Sequence, residues 1–172
     1  MEEEIINKVA NSVLEVFDLE DYFPKQPIYS IDVSKWLVEG FMLKEKEFRA
    51  SLKNHDWSQY KDGLVSIYCS TDAILPAWTF ALVTVYLQPF ASKITSGTKN
   101  ELLLSYYQDT LNQIDFSIYN QKPLILKGCS NKPVPQEAYV LAIQKLIPFA
   151  KSIMFGEACS AVPLYKSKKQ PF

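Results

Sequence analysis

Apolar positions along this chain change period repeatedly, and the changes mark its elements. Ile5, Ile6, Val9 and Ala10 recur at helical spacing, which predicts a short helix over residues 2–10. Residues 12–19 could extend that helix or form a strand; their β-branched and aromatic side chains (Val13, Val16, Phe17) favour the strand. Pro24 and Pro27 make 20–27 a loop, and a further strand is expected at 28–31. Asp32 is placed to cap a helix beginning at Val33, since its carboxylate can accept from free first-turn amides. Gly40 marks a break, after which Phe41, Leu43, Phe48 and Leu52 predict an amphipathic helix over 41–53.

From there the pattern repeats at an offset of about 59 residues. Leu43 answers Leu102, and Leu52 answers Leu111. Asp56-Trp57-Ser58-Gln59-Tyr60 answers Asp115-Phe116-Ser117-Ile118-Tyr119. One shifted position brings Cys69-Ser70 onto Cys129-Ser130, and the shift then reverses. Pro76 falls on Pro135, Pro89-Phe90-Ala91 on Pro148-Phe149-Ala150, and Gly97 on Gly156. Each copy reads helix, loop, strand, Cys-Ser corner, helix, strand. The predicted strands are 64–69, 93–96, 124–128 and 152–155, and the helices 75–90, 99–113 and 135–149. Pro76 and Pro135 suit a first helical turn, while Pro89 and Pro148 should stop or kink their helices.

Alternating strands and helices imply right-handed parallel crossovers with helices covering the sheet. The expected fold is therefore α/β, with internally duplicated βαβ units giving a mainly parallel sheet covered by helices and a pseudo-twofold relation between the copies. A chain of 172 residues fits one domain. It divides into an N-terminal helix and strand segment (1–40), a first repeat (41–98), a second repeat (99–157) and a C-terminal tail (158–172).

Composition narrows the setting. With 48% hydrophobic and 13% aromatic residues, the chain can build a sizeable core. A formal net charge of -1 offers no field for nucleic acid. No apolar run approaches the ~20 residues needed to span a bilayer, and the acidic start Met1-Glu2-Glu3-Glu4 is unlike a secretory signal. These features predict a cytoplasmic protein with no nucleic-acid or membrane partner and with a protein partner as the candidate. The 3 cysteines form no CxxC pair and are expected as reduced thiols.

Several stretches together carry a resemblance. They are Asn54-His55-Asp56-Trp57-Ser58-Gln59-Tyr60, Cys69-Ser70-Thr71-Asp72-Ala73 with Pro76 and Trp78, Lys127-Gly128-Cys129-Ser130 with Pro133-Val134-Pro135 and Ala138-Tyr139, and Ala150-Lys151-Ser152-Ile153-Met154 with Gly156-Glu157 and Cys159-Ser160. Across nearly the whole chain the sequence resembles the bacterial domain-of-unknown-function 2480 family. That resemblance implies no activity.

The candidate chemistry lies in the Cys-Ser corners. Strands of one parallel sheet all end at the same edge, where ligands bind in open α/β folds. Neighbouring strands are about 4.8 Å apart, so Cys69, Cys129 and Cys159 could converge there. Helix amino-termini after Cys69 and Cys129 would favour thiolates. Three thiolates completed by Asp72 or Glu157 would suit zinc or an iron-sulfur cluster. The plain alternative is that the thiols are small buried apolar groups in a structural or protein-interaction domain; a thiol-dependent enzyme is the other. Ser70 and Ser130 are helix N-cap candidates whose hydroxyls could also hold an anion. His55, the one histidine, precedes the first repeat's strand and is expected at the opposite edge, in a capping or hydrogen-bonding role. Asp56 and Asp115 read as turn formers.

Overall fold

The computed structural model describes residues 14–128, 131–157 and 160–167. The helix expected at 2–10 lies outside the described residues. The chain is α/β and forms two compact units, one made of the described residues up to Phe23 and from Thr110 onward, the other of Pro24–Asp109. The N-terminal segment is thus shared between the units: β1 (Glu15–Phe17) belongs to the first and β2 (Ile28–Asp32) to the second.

In the Pro24–Asp109 unit, β2 is followed by α1 (Glu45–Asn54), β3 (Leu64–Tyr68), α2 (Trp78–Leu87) and β4 (Lys93–Ser96). Its sheet has the order β2-β3-β4, all parallel, with Ile31 beside Ile67 and Val65 beside Ile94. The central strand is buried on both faces, as its unbroken Leu64-Val65-Ser66-Ile67 run requires. Ser66 is the polar exception, and its hydroxyl donates to Ser30 Oγ at 2.8 Å. Helices α1 and α2 bring Phe48, Leu52, Val83 and Leu87 onto Ile31, Val65 and Ile67. Trp57 closes this core, donating its indole N–H to the Leu52 carbonyl at 2.8 Å.

α3 (Lys99–Gln113) follows, then β5 (Pro123–Leu126), α4 (Gln136–Leu146), β6 (Ser152–Phe155) and β7 (Val162–Lys166). These strands form a sheet of order β1-β5-β6-β7, parallel except for the antiparallel β6–β7 pair. Leu124, Leu126, Ala138, Ala142, Leu146 and Ile153 are fully buried. Phe17 is buried too, stacked on Tyr22 and flanked by Phe116 and Tyr119.

Local geometry recurs at the 59-residue offset. Asp56 Oδ1 accepts from the Ser58 amide, as Asp115 Oδ1 does from Ser117. Asp62 N donates to Phe90 O and Gln121 N to Phe149 O; Gly97 N donates to Ile67 O and Gly156 N to Leu126 O. Asp62 and Gln121 have φ of 57° and 56°, while Gly97 and Gly156 both have φ of 120°.

Four expectations change. The described strands form two sheets rather than one, because β1 pairs with β5 and β2 with β3. The 41–53 helix begins only at Glu45, since a turn closed by the Val38–Met42 bridge occupies the preceding residues. The 75–90 helix begins at Trp78, with Pro76 ahead of it as the acceptor for Thr79 N. The C-terminal tail contributes a strand, β7, paired along the edge of β6.

Candidate functional site

Each parallel sheet ends in a polar corner. In the Pro24–Asp109 unit, Asp32 closes β2, and its Oδ1 accepts from the amides of Ser34 and Ser70, both at 3.0 Å. The two hydroxyls lie 3.1 Å apart. Burial pushes the Asp32 carboxyl up, but the hydrogen bonds from Ser70 and Ser34 together outweigh it and hold the group below its ordinary value. One carboxylate therefore caps the 3-10 turn Val33–Trp36 and also fixes the loop leaving β3.

That loop carries Cys69, half-buried against the core. Its Sγ is 3.4 Å from Thr71 Oγ1. Thr71 gives its only hydroxyl proton to the Gly40 carbonyl at 2.6 Å, so the cysteine S–H is the donor to Thr71. Ser70 is not an N-cap: α2 starts at Trp78, too far along the chain for its first-turn amides to reach the Ser70 hydroxyl. For the same reason no helix amino-terminus follows Cys69 directly. Asp72 lies farther along the loop, on a groove of about 440 Å³ whose other walls are Phe41, Met42, Leu43, Ala73, Ile74 and Pro76. Phe41, Met42 and Ile74 are 63%, 59% and 95% exposed. No sequence expectation marked this apolar surface, because Phe41 and Leu43 fit a helical stripe facing inward.

The corner of the other unit is built alike. Asp18 closes β1, accepts from Glu20 N at 2.9 Å and receives Lys127 Nζ on its second oxygen at 2.6 Å. This bond, the Asp18 charge and more distant Glu20 and Glu157 raise the Lys127 pKa. Glu20 accepts from the amides of Asn131 and Lys132. Gly128, Lys132, Pro133, Val134, Gln136, Tyr139 and Phe155 line a groove of about 460 Å³. Gly128 leaves room there for the Phe155 ring, which a Cβ would approach to 2.6 Å and have to displace. Glu157 follows β6 and is half-buried.

Cys129, Ser130 and Cys159 lie outside the described residues. β3 and β5 belong to different sheets, so strand spacing within one sheet does not bring Cys69 and Cys129 together. Among the described residues no three His, Cys, Asp or Glu side chains are grouped to hold a metal ion. His55 sits ahead of β3, at the other end from Cys69, with Nε2 2.9 Å from Tyr60 Oη. The rings of Trp57 and Trp36 pack on it at 4.7 and 5.2 Å. Asp56 and Asp115 are the turn formers their sequence context suggests. No described helix is long and apolar enough to cross a membrane.

The model of a family described as "Protein of unknown function (DUF2480)" matches residues 3–167. No curated protein and no solved structure matches the chain.

Proposed function

The chain belongs to the DUF2480 family, and we propose from the geometry of its loops that it is a non-catalytic cytoplasmic binding protein that engages a protein partner through the loops at the carboxyl ends of its parallel strands. The observation that carries this reading is the groove beyond Cys69. Phe41, Met42 and Ile74 stand exposed around a single acidic group, Asp72. Exposed apolar side chains gathered at one place are the mark of a protein-binding surface. The complementary partner presents an apolar anchor beside a basic side chain. The cysteine described here supports a non-catalytic role, since its S–H is committed to Thr71 while His55 is committed to Tyr60.

Co-purification of the full chain from its native host tests this directly. A partner retained by the wild type and lost from a correctly folded Ile74→Lys variant supports the proposal. Equal retention by both, or no partner on either, overturns it.

A second reading is favoured by the recurrence of Cys-Ser after β3 and after β5. In it the thiols of the Cys-Ser corners, Cys69 with Asp72 near it in sequence and Cys129 and Cys159 with Glu157 near them, are ligands of zinc or an iron-sulfur cluster. Elemental analysis and visible absorption of anaerobically purified protein separate the two readings. A stoichiometric metal that disappears on Cys69→Ala would establish the second; a colourless, metal-free protein leaves the first. Both treat the two corners as copies of one duplicated βαβ unit, and the hydrogen bonds and backbone angles that recur 59 residues apart support that duplication.

A further inference from the structure

The two sheets differ at one edge. β6 carries β7 along its outer side, with Ser152 opposite Lys166 and Ile153 opposite Tyr165. β4 occupies the equivalent place 59 residues earlier, but after Gly97 the chain enters α3, and no described strand pairs with the outer side of β4. Burial reports the same difference: Ile153 is completely buried, whereas Ile94 is only partly so. The one lysine on β4, Lys93, is drawn to Asp109 on α3 and so does not guard the edge.

We propose that the outer edge of β4 is taken by β4 of a second copy of this chain, running antiparallel about a twofold axis through Thr95. The register follows from the backbone. Lys93 N and Gly97 N both donate toward β3, to Gly63 O and Ile67 O. Because main-chain groups alternate sides along a strand, Ile94 and Ser96 present theirs outward. In the twofold pair, Ile94 of one copy exchanges main-chain hydrogen bonds with Ser96 of the other. Thr95 meets its own symmetry mate, a favourable cross-strand pair, and Lys93 lies opposite Gly97, so no like charges face each other. The contact is isologous and closes on itself. β7 cannot offer the same unbroken edge, because Pro163 lacks an N–H.

Light scattering and sedimentation of the full chain should give a concentration-dependent species of twice the chain mass. Ser96→Pro removes an outward donor without touching the β3 ladder, and should abolish that species while the far-UV spectrum is retained. Thr95→Cys places the introduced thiols at a non-hydrogen-bonded pair with Cα atoms about 4.5 Å apart, a separation a disulfide can bridge. Mild oxidation should link position 95 to itself in a peptide map. A wild-type chain monomeric at every concentration, a dimer that survives Ser96→Pro, or a dimer whose introduced thiols do not join would each overturn the proposal. Should Ser96→Pro fail to fold, the Thr95→Cys map decides alone.

Discussion

Asp32 shows how much one residue can organise. Its carboxylate oxygen receives the amides of Ser34 and Ser70, so the 3-10 turn after β2 and the Cys69 loop after β3 share one acceptor. Asp32→Ala should cost about 1–2 kcal/mol, the usual range for a lost cap, and Asp32→Asn distinctly less, because the amide oxygen still accepts. Chemical denaturation of the two variants checks the order; equal costs would mean that the shared acceptor is not the cause. Since the folded carboxyl lies below its ordinary value, the stability it contributes is present above the unfolded pKa and is lost as pH falls through the folded one. His55 has the same sign for a different reason. Burial among Trp36, Trp57 and Tyr60 lowers its pKa from 6.5, and the Asp56 charge only partly opposes this. Its contribution is complete above 6.5 and is lost as pH falls through the lower folded value. Denaturation midpoints measured between about pH 8 and pH 5 should fall more steeply for the wild type than for His55→Gln. Parallel curves would count against a histidine whose pKa is lowered by partial burial. The bonding role of His55 was legible from its place ahead of a strand. The S–H donor role of Cys69 was not, because it depends on Thr71 meeting Gly40, 31 positions back along the chain.

Elements with strong local signals were legible nearly to the residue. β4, α3 and β6 fall where the alternation and helical period put them. The misplaced boundaries share a cause, which is that a long-range contact claimed residues whose local pattern looked helical. Phe41 keeps a helical spacing with Phe48, but it and Met42 are spent on the turn closed at Val38 and on the open groove. Asp72, Ala73, Ile74 and Pro76 line the same groove, so α2 starts later than the apolar run does. β7 escaped because its Pro163 reads as loop and its partner is chosen across the sheet. One local signal was overlooked. Thr98 and Glu101 form a capping box at the start of α3: the Thr98 amide donates to Glu101 Oε2 at 2.6 Å, and the Glu101 amide to Thr98 Oγ1 at 3.5 Å. Hydrogen bonding from Thr98, its amide first and its side chain second, holds the Glu101 carboxyl below its ordinary value. Thr98→Ala should destabilise the protein by about 1 kcal/mol, and Thr98→Ser by much less. Equilibrium unfolding followed by far-UV circular dichroism distinguishes them, and an unchanged midpoint for Thr98→Ala would refute the box.

At the scale of the molecule, residue identities 59 positions apart were legible and the partition into sheets was not. Identities 59 residues apart depend on side chains that can be read in order, whereas sheet membership depends on which early strand each central strand recruits. β1 precedes β2 in the chain, yet β1 pairs with the later β5 and β2 with the earlier β3. Nothing in Glu15-Val16-Phe17 or in Ile28-Tyr29-Ser30-Ile31-Asp32 announces that exchange, since either would present one apolar face to either sheet. Where the repeat holds, matched substitutions should behave alike, and the glycines after β4 and β6 give a sharp case. Gly97 and Gly156 share φ of 120°, a conformation that a side chain resists. A Cβ on Gly97 would also press on the Glu101 carboxylate that caps α3, and one on Gly156 would sit 3.0 Å from the Ser160 carbonyl. Each change to alanine should therefore cost about 1–3 kcal/mol. The carboxylate can swing aside and the main chain cannot, so Gly156→Ala should sit at the upper end and Gly97→Ala at the lower. Urea unfolding of both variants reads the pair. A large loss at one position with none at the other would show that the two turns are not equivalent, and would remove the geometric support for a duplicated unit.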